Sequence, residues 1–418
     1  MIKEKIIYTT FSDWRFNIKK AKESFIWDQA GHRLLDFTSG WNVANLGWNN
    51  PEISKAVIAQ VRKNTYAPMW TADPVQKKYA DFLVKYMPSG LDSIGRATGG
   101  MEAIEEAIKL ARSATGRKKI VGFVKSYHGQ SIHCLVLSYL PEWYAKISNP
   151  QTDLVHLPFP NLYCSEKSPQ ELLSNLETQL EKILRQEDVA AILTESGTIT
   201  GWGSTDVAPD GFLTLLRKLT QRYGTLLILD EVGSGFSRLG KLFAWQIENV
   251  CPDIITLAKG ISNGAAPIGA MVTTQQIAVQ GASAANLQST FGWIPPACAA
   301  ALQTLKIHIR EKIWEKAFRD GEYIKLVLKK EFSNNPFVGD VRGRGMEIGI
   351  DLVQDGQTQM NNTEMVEKVV SLAYQKGLHL VSDHESVIQL MPPLTIERKV
   401  LDKGLEILIE CIRKAGKK

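Results

Sequence analysis

Short apolar runs recur along the chain, each cut off by a charged or turn-forming residue. Stretches 120–124, 189–193, 226–229 and 254–257 are rich in Ile, Leu and Val, and none has a polar face. Such runs predict strands buried on both sides, and 91–97 predicts a further short strand. Between the runs the apolar positions change to helical spacing. From Gly100 to Arg112, the residues Ile104, Ala107, Ile108 and Ala111 share one face. Similar spacing predicts helices over 51–64, 74–86, 170–186 and 212–223, the last stopped by Gly224. Beyond 296–309 and a long helix at 311–332, short strands at 341–349 and 386–391 alternate with helices at 363–376 and 397–415. Strands alternating with helices predict an α/β fold around a mainly parallel sheet. The expected division is a large domain over 50–305 and a smaller α+β domain over 306–418. Residues 1–49, whose Trp27–Phe37 part reads as a hairpin with a Gly turn, are expected to join the smaller domain.

Two of the apolar runs deliver chemistry. The run 226–229 ends in Asp230, and the run 254–257 is followed almost at once by Lys259. A carboxylate or an amine is costly to bury unless it is paired, neutralised or covalently modified. Pyridoxal phosphate accounts for both residues. Its aldehyde forms a Schiff base with a lysine, and its ring nitrogen stays protonated when a carboxylate faces it. Each residue alone also has a plainer reading, Asp230 as a helix cap or metal ligand and Lys259 as a solvated loop residue. Thr98-Gly99-Gly100-Met101 opens the amphipathic helix, and a Gly-rich turn at a helix N-terminus is a ready anion site.

Five features occur in order. They are Asp230-Glu231-Val232, Gly235-Phe236-Ser237-Arg238-Leu239-Gly240, Pro252-Asp253, Lys259-Gly260 and Ala266-Pro267-Ile268-Gly269-Ala270. This pattern resembles the signature of class III pyridoxal-phosphate aminotransferases of fold type I, and the likeness extends from about Trp27 to Leu394. The resemblance implies a homodimer whose active site is shared across the interface. It also implies Lys259 as the Schiff-base lysine and proton carrier, with Asp230 on the ring nitrogen. Gly99, Gly100 and Met101 match the family's Ser-Gly-Ser phosphate cup, with Gly99 and Met101 in place of the two serines. Tyr127 matches the aromatic residue stacked on the cofactor ring, with Val232 on the opposite face. His128 orients the turn or packs near the cofactor. Glu195 lies at a strand end beside the cofactor, where it bonds an amide or an arginine. Thr290 matches the threonine that reaches the neighbouring subunit's phosphate, although a helix-proximal cap is the plainer reading. Trp41 and Asn42 fall near the substrate side, with core packing as the alternative for Trp41.

Several residues depart from that pattern. Gly233 stands where many relatives carry a larger residue, which is expected to open space or remove a contact. Gln389, in Ile388-Gln389-Leu390-Met391-Pro392-Pro393-Leu394, stands where relatives carry an arginine that clamps a substrate carboxylate. A neutral amide cannot make that forked ionic pair. Arg96 and Arg238 are the candidate replacements; otherwise a substrate lacks the α-carboxylate. The activity implied is amino transfer from an amine or amino acid to a keto acid or aldehyde. A racemase, epimerase or aminomutase on the same scaffold would use the same Lys259 and Asp230, and a non-catalytic binding protein on a degenerate scaffold is the third reading.

Composition narrows the partners. Among 418 residues, 44% are hydrophobic, 22% are charged, and a net charge of +5 is spread without long blocks. That pattern implies no nucleic-acid partner. No run approaches the ~20 apolar residues of a membrane span, and the first residues have too short an apolar core for a signal peptide. The five cysteines are scattered, with no metal-like cluster. Free thiols in a reducing cytoplasm are expected. Stretch 140–169 reads as a surface excursion, and Lys417-Lys418 as a solvated tail.

Overall fold

The computed structural model describes residues 16–138, 153–163, 165–201, 203–356, 359–383 and 385–416. The signal-peptide reading of the first residues, residues 140–152 and 164 of the expected excursion and the Lys417-Lys418 tail lie outside them. The described part of 140–169 is not all surface excursion, because Leu154–Leu157 is a strand paired in parallel with Lys119–Phe123 in the central sheet.

The amino-terminal strands β1 (Ile18–Lys22), β2 (Phe25–Asp28) and β3 (Arg33–Asp36) form an antiparallel ribbon. Then come β4 (Leu91–Ala97), β5 (Lys119–Phe123), β6 (Leu154–Leu157), β7 (Val189–Glu195), β8 (Leu226–Asp230), β9 (Ile254–Leu257) and β10 (Gly269–Thr274). These seven make one sheet in the order β4-β10-β9-β8-β7-β5-β6. The pairs β6–β5, β5–β7, β7–β8 and β8–β9 are parallel, and β10 runs antiparallel to both β9 and β4. The reason is legible in β8. Leu227 and Leu229 pack into a core with Phe212 and Leu216, while Ile228 between them packs into a second core with Ile104 and Ile108. Helix Phe212–Tyr223 covers one face of the sheet and helix Gly100–Thr115 the other, so Leu227 to Asp230 of β8 are all buried. Each such side chain contributes about 1.5–3 kcal/mol by leaving water.

The carboxyl-terminal part carries β11 (Val338–Arg344), β12 (Glu347–Leu352), β13 (Leu378–His379), β14 (Val381–Ser382) and β15 (Val387–Leu390). Residues 341–349, expected as one strand, are a hairpin of β11 and β12 that turns at Gly345 and Met346. Gly345 has φ +53, which an L side chain rarely adopts, and a Cβ there would lie 2.4 Å from the Arg238 carbonyl oxygen. β13 pairs in parallel with β3, Leu378 opposite Leu35. Leu35, Phe37 and Leu46 share a core with Ile348, Leu390, Leu405 and Ile412. The amino-terminal ribbon therefore packs with the carboxyl-terminal elements.

Arg238 staples these parts together. It is fully buried in the loop after β8. Its guanidinium donates to the carbonyls of Met346 (3.0 Å) and Pro392 (2.9 Å) and to Asn45 Oδ1 (2.7 Å). Burial lowers its pKa to about 10. Replacing Arg238 with Met leaves those acceptors unpaired, at about 1–3 kcal/mol each. The variant is expected to lose about 3 kcal/mol or more in chemical denaturation; unchanged stability would refute this role.

Candidate active site

Because β5, β7, β8 and β9 are parallel and β10 opposes both β9 and β4, the carboxyl ends of β4, β5, β7, β8 and β9 meet on one edge. That edge is where open α/β sheets hold ligands. A cavity of about 530 Å³ opens there. Its walls include Gly99, Gly100 and Met101 after β4, Tyr127 and His128 after β5, Glu195 at the end of β7, Asp230 and Val232 at the end of β8, and Lys259 after β9. These nine residues singled out from the sequence thus converge; Trp41, Thr290 and Gln389 do not line the cavity.

Lys259 is half-buried and has φ +45, a conformation rare for L residues. Strain of this kind persists where surrounding structure over-determines it. Among the described residues its amine has no hydrogen bond or ion pair. The surrounding walls lower its pKa below 10.5, while Glu195, Asp230 and Glu347 oppose that shift. Asp230 is buried. One carboxylate oxygen bonds His128 Nδ1 at 2.7 Å, and the other accepts the Val232 amide at 2.9 Å. The outer nitrogen of His128, Nε2, has no hydrogen-bond partner among the described residues. His128 therefore orients Asp230 from within the wall.

Glu195 organises the loop beneath the cavity. It accepts the Tyr127 amide at 3.0 Å, the Thr200 amide and hydroxyl at 2.7 Å each, and the Gly201 amide at 3.2 Å. Burial raises its pKa, as does the nearby Asp230. Of the two expectations for Gly233, open space or a lost contact, open space at its missing side chain is not what the structure has. A Cβ there would lie 2.0 Å from Thr200 Oγ1, so the missing side chain admits Thr200 to its place on Glu195. Gly100 is similar, since a Cβ would meet Val232 Cγ1 at 2.9 Å.

Neither candidate arginine reaches the cavity. Arg238 is consumed by backbone carbonyls on the far side of the loop. Arg96 lines a separate cavity of about 480 Å³ beside Glu106. Gln389 is fully buried in β15, and its amide nitrogen donates to the Thr200 carbonyl at 3.0 Å and to Glu347. Trp41 Nε1 donates to the same carbonyl at 3.3 Å. Thr290 is exposed and lies outside this chain's cavity.

The sequence reading missed Thr200 and Glu347. Thr200 sits in a loop with no period. Glu347 did leave a signal, as a carboxylate inside an apolar strand buried at every position.

The residues fit pyridoxal phosphate on their own chemistry. The cavity pairs an unpartnered amine with a carboxylate held on the next strand. The helix Gly100–Thr115 begins at Gly99 with no side-chain cap, so its first amides are open to an anion. The profile of aminotransferase class-III proteins matches residues 9–412. A 5-aminovalerate aminotransferase of Pseudomonas aeruginosa is 32% identical, covering 94% of this chain and 92% of that protein. A leucine/methionine racemase of Thermococcus litoralis is 31% identical over 94% of this chain and 89% of its own length. The PLP-bound amine transaminase structure from an uncultivated Pseudomonas species superposes with a TM-score of 0.91 at 28% identity, covering 99% of this chain and 98% of that one. The match spans nearly the whole length, and this chain belongs to the class III aminotransferases, transaminases of fold type I that use pyridoxal phosphate.

Proposed function

We propose that Lys259 is the residue that carries the cofactor and then moves the substrate proton, with Asp230 holding the ring nitrogen protonated. The observation that carries this reading is an unpartnered, half-buried amine at one strand end and a hydrogen-bonded carboxylate at the neighbouring one. When bound, pyridoxal phosphate supplies an electron sink that stabilises negative charge on the substrate carbon. Lys259 Nζ, with its pKa lowered, provides a free amine that takes a proton from that carbon and returns it elsewhere. His128 fixes the carboxylate of Asp230. The open amides at 100–102 hold the phosphate. Tyr127 and Val232 are the apolar surfaces for the two faces of the ring. The substrates are an amine or amino acid donor and a keto acid or aldehyde acceptor.

The likeness to a racemase keeps a second reading in view, because returning the proton to the same carbon from the other side would scramble stereochemistry. Keto-acid-dependent amino transfer supports the transaminase reading. Loss of optical activity with no acceptor consumed supports the racemase.

The exposed Tyr66, Met69, Trp70 and Phe291 support a homodimer, since a cluster of large apolar side chains in water is unfavourable. Tyr66 and Phe291 have ring centroids 6.0 Å apart, so the 66–70 and 288–292 segments form one surface. Thr290 lies on that surface, away from its own cavity, as a residue completing a partner's phosphate site would. A large domain over 50–305, a smaller domain over 306–418 joined by the segment 1–49, and a cytoplasmic location remain part of this reading. The described cysteines are free, and among the described residues no helix is long and apolar enough to cross a membrane.

Two experiments test these roles. Lys259→Ala is expected to lose the visible absorbance of the Schiff base and at least about a hundredfold in turnover; retention of both would refute the assignment. Lys259→Ala and Thr290→Glu protomers, each poorly active, are expected to regain activity when unfolded and refolded together, because the mixed dimer holds one complete site. No recovery would mean that Thr290 does not serve the neighbouring subunit.

A further inference from the structure

The loop that carries Thr200 is gripped from the carboxyl-terminal part, and the roles above do not use that grip. Residues 197–199 pair with 206–208 as a short antiparallel hairpin. The Ile199 amide donates to the Asp206 carbonyl at 2.9 Å, and the Ala208 amide to the Gly197 carbonyl at 3.1 Å. The tip of this hairpin forms part of the cavity wall. Thr200 donates to Glu195 there through its amide and its hydroxyl, at 2.7 Å each. Gly201 lies so close to Tyr127 that a Cβ on it would sit 2.2 Å from the Tyr127 Cβ. The tip therefore sets the place of two wall residues, Glu195 and Tyr127.

On its other side the hairpin meets β11. Strand side chains alternate, so Val341 enters the carboxyl-terminal core while Arg342 and Arg344 both reach the hairpin. Arg342 is 9% exposed. Its Nε donates to the Thr205 carbonyl at 3.1 Å, and its Nη2 to the Ser204 carbonyl at 2.7 Å. One planar fork thus holds two successive carbonyls, which a lysine cannot reproduce. The guanidinium is itself held by Asp351 at 3.1 Å, Asp206 at 3.3 Å and Asp340 at 3.9 Å, and it lies 4.6 Å from the centre of the Tyr163 ring. Thr205, between the gripped carbonyls, has φ +48. A threonine keeps that left-handed conformation only where its surroundings impose it.

The electrostatics give the grip a consequence. Burial and Asp230 raise the Glu195 pKa, while His128 and the two Thr200 donors lower it. Burial lowers the Lys259 pKa, and Glu195, Asp230 and Glu347 oppose that fall. A displaced tip withdraws the Thr200 donors, so Glu195 stays neutral to a higher pH. One of three negative charges that favour a proton on the Lys259 nitrogen is then lost.

We propose that Arg342 is a positioning residue for the cofactor site: by fixing the hairpin tip at 204–205, it keeps Thr200 on Glu195 and Gly201 against Tyr127. Arg342 does not line the cavity and acts only through these residues. The inference rests on the reading of Lys259 as the residue that carries the cofactor, and adds to it a residue on the opposite side of the wall.

The test follows the visible absorbance of the purified holoenzyme against pH, and measures pyridoxal phosphate affinity by equilibrium dialysis. Arg342→Lys and Arg342→Met are each expected to lower the pH at which the chromophore on Lys259 loses its proton, by at least about 0.5. Both are expected to weaken cofactor binding about fivefold, as the Tyr127 ring loses its fixed place. A change in Arg342→Lys, which keeps the charge, identifies the fork as the cause. Gly201→Ala pushes the tip off Tyr127 without altering Arg342, and is expected to move both readings the same way. Leu408→Ala opens the carboxyl-terminal core; it controls for loss of stability and is expected to move neither. Unchanged readings in the folded Arg342 variants or in Gly201→Ala, or equal changes in Leu408→Ala, overturn the positioning role and leave the transaminase reading intact. A wild-type holoenzyme with no visible chromophore overturns the Lys259 reading, and this inference with it.

Discussion

The constraint on which the rest depends is the exclusion of water from an edge that must nevertheless hold charge. Strands of Ile, Leu and Val can be buried on both faces only when helices cover both. Their carboxyl ends then open into a crevice walled by protein. Asp230 and Glu195 are buried there and Lys259 is half-buried, so every charge has to be met by something fixed. Asp230 is met by His128 and an amide, and Glu195 by three amides and a hydroxyl. Lys259 alone is left unmet, which suits a residue whose partner is a cofactor.

Stability and function draw on the same polar groups. Arg238 would be unaffordable in an apolar core if its guanidinium did not join three separate segments. Glu347 has no such compensation beyond two amides, and its pKa rises accordingly. The first arrangement is scaffolding. The second leaves Asn42 Oδ1 and Gln389 Oε1 without a donor among the described residues.

The departures from the family pattern form one arrangement. Gly233 clears space that Thr200 occupies, Thr200 bonds Glu195 and offers its carbonyl to Gln389 and Trp41, and Gln389 reaches Glu347. Read singly, each substitution looks like a lost contact. In three dimensions Gly233 makes room for Thr200, and Glu195, Thr200, Gln389 and Glu347 are linked by hydrogen bonds from the cavity wall to β12.

Much was already present in the sequence. The apolar runs marked both-face burial, the helical spacing marked the covering layers, and Asp230 and Lys259 were legible because a charge ending an apolar run is anomalous without a partner. Local pattern carries such information because strand and helix periods are set by the backbone. Residues 341–349, read as one strand, lie in the hairpin of β11 and β12, since Gly343 and Gly345 do not by themselves reveal a reversal. Whether Arg96 and Arg238 face the substrate, what fills the space at Gly233, and which side chains lie next to Glu347 depend on residues hundreds of positions apart. Only tertiary packing decides those, because hydrogen-bond capacity is satisfied in space and leaves no period along the chain.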